Sequence, residues 1–404
     1  MNRQMISRVE IWRKNLTVCW FCGFIMSVGV SQISPILPLY VEMLGIEGTD
    51  EIARWAGIAF GANFITLAIF SPIWGKAADK YGRKPMVVRA SLWLAIIMLC
   101  MSYAQNIYQL IGLRLAQGAM SGFFSAMIPL VAVQTPKERL GWALGILTTG
   151  QIGGLLIGPL FGGLLADTLG FRSVFLSISI LAFLATIGAY VFIEEKFMPT
   201  TVKQENLIAV FRAIPHRDIL IALFLTTFLF QGAMMSLQPI ISIYVAHLVV
   251  EDVPVAFLAG LIFASTGLAN IFSAPFLGRL SDRIGQPAVI FYALLGSGIL
   301  FIPQAFVTNP FQLGCLRFLM GLATGGLLPA INAMVKRNIP DAIAGRVFGC
   351  NQFAQHIGAF CGAIVGGQLA SLLGIKYVFI VMGIIMLLNA LWVYCKVYNN
   401  QRIK

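Results

Sequence analysis

The chain has 404 residues, 58% of them hydrophobic and only 11% charged, with a mean hydropathy of +0.85. Soluble domains run at about 25% charged residues, so these figures exclude an ordinary soluble protein and indicate an integral membrane protein. The formal net charge of +12 would suit a nucleic-acid binder, but the basic residues sit between long apolar runs, and no nucleic-acid partner is expected.

The start, MNRQMISRVEIWRKNLTVCWFCGF, places basic residues before an apolar stretch, as a signal peptide does. No small-x-small cleavage site closes it before the next apolar run, so it reads as a retained first span, 16–39. A span needs about 20 apolar residues. Further runs follow at 55–75, 90–106, 109–133, 142–165, 173–193, 219–246, 256–278, 287–306, 311–335, 347–369 and 377–395. Twelve membrane-spanning helices are therefore expected, an all-α integral membrane protein. The cysteines at 19, 22, 100, 315, 350, 361 and 395 all fall in these spans and read as small packing residues. Cys19 and Cys22 lack the strand-and-helix setting of a redox motif, and no metal or cofactor is expected.

Charge sets the expected orientation. With the N-terminus in the cytoplasm, 23 of the 28 Lys and Arg residues fall in the tails and the cytoplasmic loops. Arg54, Arg172 and Lys376 are left outside, and Arg114 and Arg317 lie within spans. This positive-inside asymmetry puts both termini in the cytoplasm. No Asp or Glu falls in the interior of a span.

After the second span comes GKAADKYGRK, Gly75 to Lys84, echoed by GRLSDRIGQ, Gly278 to Gln286. Gly75, Asp79 and Gly82 align with Gly278, Asp282 and Gly285 at an offset of 203, and LRLAQG with Arg114 aligns with LRFLMG with Arg317 at the same offset. Two motifs at one spacing imply a duplicated unit. The copies are separated by six spans and so are parallel repeats. The expected division is a bundle over 1–193, a polar cytoplasmic linker over 194–218 with an amphipathic part at the membrane surface, and a second bundle over 219–404.

Twelve spans in six plus six, GKAADKYGRKPM after the second, LRLAQG in the fourth and GGLLIGPLFGG in the fifth resemble the major facilitator superfamily over essentially the whole chain. More narrowly, NLTVCWFCGF, PLYVEMLG, FSPIWGKAADKYGRKPM and GWALGILTTG resemble its twelve-helix drug:proton antiporters, especially bacterial multidrug-efflux members. The resemblance implies a proton-coupled exporter of lipophilic or amphipathic small molecules in the cell membrane. A dedicated exporter of an endogenous metabolite, such as a siderophore, lipid precursor or sugar, is the alternative. The fold makes a monomer the default.

The i to i+4 spacing puts Gly75 and Asp79 on one helix face, where Asp79 can accept from Arg83 or from a neighbouring helix N-terminus. The resemblance implies that Gly75, Asp79, Gly82 and Arg83 form a latch holding the halves together in the outward-facing state. The second copy, around Asp282, lacks the following basic pair and should latch more weakly. Arg114 should face protein or a wet cavity, because a cation at membrane depth costs about 2.5–3.5 kcal/mol. The resemblance links the matching arginine to proton transfer, and the other reading is a buried cation satisfied by carbonyls and Gln117. Other titratable candidates for coupling are Glu42, at the outer end of the first span, and His356. The first span holds Ser31, Gln32 and Ser34 where relatives often place an acid.

Gly150, Gly154, Gly158 and Gly162 form one smooth stripe, and Pro159 can bend the helix. Gly158-Pro159-x-x-Gly162-Gly163 resembles the superfamily's antiporter signature. The eleventh span has Gly362-Ala363 instead, so the signature is expected in one half, as in exporters. Candidate substrate-binding residues are Gln32, Asn63, Gln117, Phe123, Phe230 and Gln231, followed by Met235, Gln238, Arg317, Asn332, Gln352 and Gln355. Aromatic, methionine and uncharged polar groups in this mixture suit soft, adaptable binding, and helix packing is the competing reading. No P-loop is present, so transport should be secondary. His247-x4-Asp252 superficially matches an acyltransferase pattern but has no accompanying motif, and no enzyme is expected.

Overall fold

The computed structural model describes residues 3–136, 139–195, 217–249, 253–340 and 343–399. Among these, twelve helices are long and apolar enough to cross a membrane. The first six are α1 (Ile11–Met43), α2 (Thr49–Tyr81), α3 (Arg83–Ser102), α4 (Ile107–Gln134), α5 (Leu140–Leu169) and α6 (Phe171–Phe192). The second six are α7 (Arg217–Leu248), α8 (Val255–Ile284), α9 (Gln286–Phe306), α10 (Pro310–Arg337), α11 (Arg346–Leu373) and α12 (Ile375–Tyr398). Their outward faces carry large apolar side chains such as Ile180, Phe183, Phe272 and Phe276, which suits contact with lipid tails.

Most of these helices run beyond the ends expected from hydropathy. α2 continues to Tyr81, so Gly75 to Tyr81 of the charged stretch is helical and a single residue, Gly82, joins it to α3. Gly82 has φ +97, its repeat mate Gly285 has φ +90, and a side chain there would strain both turns. Because α3 begins at Arg83, Arg89 lies within a span, not in the cytoplasmic loop where the sequence reading placed it.

The repeat extends further than the two motifs. Asn106 caps α4 by accepting from Gln109 N, and Asn309 caps α10 by accepting from Gln312 N, again 203 residues apart. α1, α4, α7 and α10 are each interrupted near mid-span, at Gln32, at Ser121–Gly122, at 237–240 and at Gly325–Gly326. Every third helix is thus broken, and these breaks expose backbone polar groups that need partners inside the protein or in a water-filled cavity.

The glycine stripe of α5 lies against α1. A Cβ on Gly154 would meet Phe24 O and Ser27, and one on Gly162 would meet Gln32. In the second half Gly358, Gly362 and Gly366 of α11 press against Phe228, Gly232 and Ser236 of α7 in the same pattern, offset by 204. The glycine geometry from Gly154 to Gly163 therefore serves both halves, while Gly150 and Pro159 are particular to one, because Ala354 and Ala363 stand at the matching places. Close helix contact is what the stripe provides in both halves.

Of the expected linker, 196–216 lie outside the described residues. Residues 217–218 belong to α7, and Glu194 and Glu195 are tied to the first half. Glu194 pairs with Lys14 at 2.7 Å and its carbonyl accepts from Asn15 Nδ2 at 2.7 Å.

Candidate functional site

The two halves meet at the face opposite the termini. Ser242 of α7 donates to Pro35 O of α1 at 2.5 Å, and Asp167 at the end of α5 accepts from Phe257 N at 2.8 Å and Ala256 N at 3.4 Å. Gly163 faces the backbone of Ala256 and Phe257, while Gly367 of α11 faces Ala53 and Gly57 of α2. These two glycine seams allow backbone-to-backbone approach, and the Asp167 carboxylate caps the positive N-terminal end of α8.

At the termini face, no hydrogen bond or ion pair among the described residues joins the halves. Asp79 and Asp282 are both exposed and bonded to nothing described there. A Cβ on Gly75 or Gly278 would meet open space. Arg83 does not reach Asp79: its Nη1 donates to Pro129 O at 3.0 Å. The N-terminus of α3 is capped instead by Glu195, which accepts from Arg83 N at 3.0 Å and Lys84 N at 2.7 Å. With the halves sealed at one end only, a cavity of about 620 Å³ lies between them.

This cavity is lined mostly by the first half. Of the sequence candidates it gathers Asn63, Gln117, Phe123 and Arg114 from that half, and Met235, Gln238, Gln352 and His356 from the other. Phe60 and Phe64, one and two turns along α2 from the region of Gly57, complete an aromatic wall with Phe123 and Phe124, whose rings meet edge to face at 5.2 Å. Arg114 is only 3% exposed. Its Nε donates to Ala59 O at 3.0 Å, its Nη1 to Gln117 Oε1 at 2.8 Å, and its Cζ lies 5.4 Å from the Phe60 ring. A carbonyl and Gln117 therefore hold Arg114, and it also borders the cavity.

The other candidates lie outside the lining. Gln32 is fully buried between α1, α5 and α6, where its Oε1 accepts from Ser177 Oγ at 3.1 Å, while its neighbours Ser31, Ile33 and Ser34 line the cavity. Phe230 and Gln231 sit on α7 away from the lining, and Asn332 accepts from Asn351 Nδ2 at 3.0 Å. Gln355 is half-buried outside the lining, and Glu42 is exposed at the distal end of α1. The Gly154, Gly158, Pro159, Gly162 and Gly163 group forms packing seams.

Arg317 shows why a repeat mate need not share a role. It is 4% exposed, it does not line the cavity, and its Nε is buried without a partner. Where Arg114 finds the Gln117 amide, Arg317 finds the Met320 thioether at the matching position. A buried guanidinium whose Nε is left unpaired opposes folding, so Arg317→Met is expected to raise the stability of the purified protein by about 1–4 kcal/mol. Thermal unfolding in detergent measures this, and a lower midpoint would mean the charge has a partner.

Sequence reasoning missed three polar groups. Arg89 stacks over Trp74 at 3.4 Å and donates from Nη2 to Ser121 O at 3.0 Å, serving a carbonyl freed by the break in α4. Its signal was present, an arginine one and a half turns after Arg83, but the expected span began one residue too late. Asp167 and Glu195 cap helices 90 and more residues away, and no local spacing marks such pairs.

Comparison with known proteins agrees with this architecture. The chain is 42% identical over 383 residues, 94% of this chain and 91% of the relative, to "Multidrug resistance protein MdtG" of Enterobacter lignolyticus (strain SCF1). It is 41% identical over 382 residues, 94% and 95% respectively, to the protein of that name from Salmonella typhimurium (strain LT2). The crystal structure of the nucleoside transporter NupG superposes with a TM-score of 0.78 at 11% identity, covering 95% of this chain and 100% of that one. The family profile described as Major Facilitator Superfamily matches residues 19–259 and 223–402. On twelve helices in two repeats, a central cavity sealed at one end, and these matches, the chain belongs to the Major Facilitator Superfamily.

Proposed function

We propose that the protein is a secondary exporter in the cell's inner membrane, moving lipophilic and amphipathic small molecules outward by alternating access in exchange for protons. The observation that carries this reading is the cavity: a mixed aromatic, methionine and amide surface between two halves that close at one face and part at the other. Such a surface adapts to several shapes, which accords with the multidrug-resistance names of its relatives.

The bias of basic residues toward the termini face supports a cytoplasmic location for both termini. In that orientation the cavity opens inward, ready to load. Residues 1–193 and 219–404 then form the two moving bundles, joined by a cytoplasmic linker over 194–218, and the protein works as a monomer in the bilayer. Gly75, Asp79, Gly82 and Arg83, with Asp282 in the second copy, serve as the cytoplasmic latch when the halves rock to the opposite state. Their separation here is what an inward-open state requires. Coupling rests on Arg114, with His356 in the cavity and Glu42 at the outer end as further titratable groups.

Everted membrane vesicles with an imposed pH gradient test the reading. Adding transported substrates should collapse the gradient in vesicles containing the protein and leave it intact in vesicles without it. No response across dyes, antibiotics and metabolites would sink proton-coupled export.

A further inference from the structure

The export reading leaves the charge of the cargo open, and the cavity's own chemistry narrows it. Among the described residues lining the cavity, two can carry charge, Arg114 and His356, and in both the charge is positive. The partners of Arg114 are a carbonyl, an amide oxygen and an aromatic ring, all neutral. They solvate the guanidinium without neutralising it.

Carboxylates are remote from it. Every described Asp or Glu that falls in a span lies within two residues of that span's end: Glu42, Asp50, Glu51, Asp79, Asp167, Asp218 and Asp282. A lipophilic cation entering the cavity meets like charge at Arg114 and no acid to offset it. An anion meets the counter-charge the protein omits. Asn63, whose Oδ1 is buried without a partner in the same lining, can turn its amide to donate to the same head group.

We infer that the cavity selects amphipathic organic anions, with a carboxylate, sulfonate or similar acid head at Arg114 and an apolar body against Phe60, Phe64 and Phe123. The inference rests on the export reading and narrows it. It also bears on energetics. An inside-negative potential of about 100 mV by itself sustains a roughly 50-fold outward gradient of a monovalent anion. Such a cargo is driven outward by the potential even where no mid-span carboxylate carries protons.

The test uses the purified full-length protein in proteoliposomes with fluorescent cargoes of opposite charge, each under an imposed potential of the sign that drives it inward, positive inside for the anion and negative inside for the cation. The anion is 8-anilinonaphthalene-1-sulfonate and the cation is ethidium. Competition by a small matched pair, naphthalene-1-sulfonate and 1-naphthylmethylammonium, isolates the charge from the shape.

The sulfonates are expected to be transported and to compete at least about tenfold more strongly than the cations, since reversing the sign beside a desolvated guanidinium changes attraction to repulsion. Arg114→Lys should keep part of this preference and Arg114→Gln should lose it. The wild-type comparison does not depend on either variant folding. Ethidium transport equal to or greater than that of the sulfonate overturns the anion inference and leaves export standing. Transport of neither cargo overturns both.

Discussion

Arg114→Ala will reduce active efflux to background, a loss of at least about 100-fold, while the protein remains in the membrane at measurable levels. Two physical terms make this outcome specific. The arginine borders the cavity two turns before the break in α4, so its removal takes away the charge that cargo or protons meet there. Its contribution to the fold is small, because a cation at depth costs about 2.5–3.5 kcal/mol and its hydrogen bonds to Ala59 and Gln117 return a similar amount. A functional arginine therefore gives lost transport with nearly unchanged thermal stability. A structural one gives stability and transport falling together, and measuring both on the same preparation separates the two cases.

The architecture was legible because two strong signals agree. Apolar runs long enough to span a bilayer recur twelve times, and the Gly75–Gly82 motif and Arg114 both repeat at 203 residues. The structure adds the Asn106 and Asn309 caps at the same offset, which could have been read as asparagine followed three residues later by glutamine at a helix start. Part of the cavity was legible in the same way. Gln117 and Arg114 are one helical turn apart on α4, so locating one locates the other.

The rest depended on distances that a linear pattern does not encode. Gln32 and Ser31 are adjacent, yet the break in α1 turns Gln32 into the α5 interface and leaves Ser31 on the cavity. Gln231 and Gln238 are two turns apart on a helix of uniform hydropathy, and the break at 237–240 decides which of them lines the cavity. Arg317 had the repeat in its favour, but one substitution, methionine for glutamine at 320, removes its local partner. Duplication preserves backbone positions more faithfully than it preserves the hydrogen-bond partners that give a charged side chain its role.

Gly163→Leu will hold the protein open at the face opposite the termini and abolish transport. A Cβ at Gly163 already meets Ala256 O at 2.5 Å and Phe257 Cα at 2.7 Å, and these are backbone atoms of the other half that cannot rotate away. Overpacking of this kind costs about 1–3 kcal/mol, enough to shift a two-state balance by up to roughly 100-fold. The cost falls only on the sealed state, because the seam exists only while the halves touch there. Asp167→Asn should push the same way more weakly, since the amide still accepts a hydrogen bond from Phe257 N but loses the charge that favours the α8 N-terminus. Gly145→Leu, on the same helix but with nothing within 4 Å of its Cβ, is the control and should behave as wild type. Spin labels at Glu47 and Val253, both exposed near this face, report the separation directly. The distance should lengthen in Gly163→Leu, lengthen partly in Asp167→Asn and stay unchanged in Gly145→Leu. If it stays short in Gly163→Leu while transport continues, the glycine seam is not what seals this face. If it lengthens as transport is lost, the seam is the gate at this face and its resistance to separation sets how readily the protein opens there.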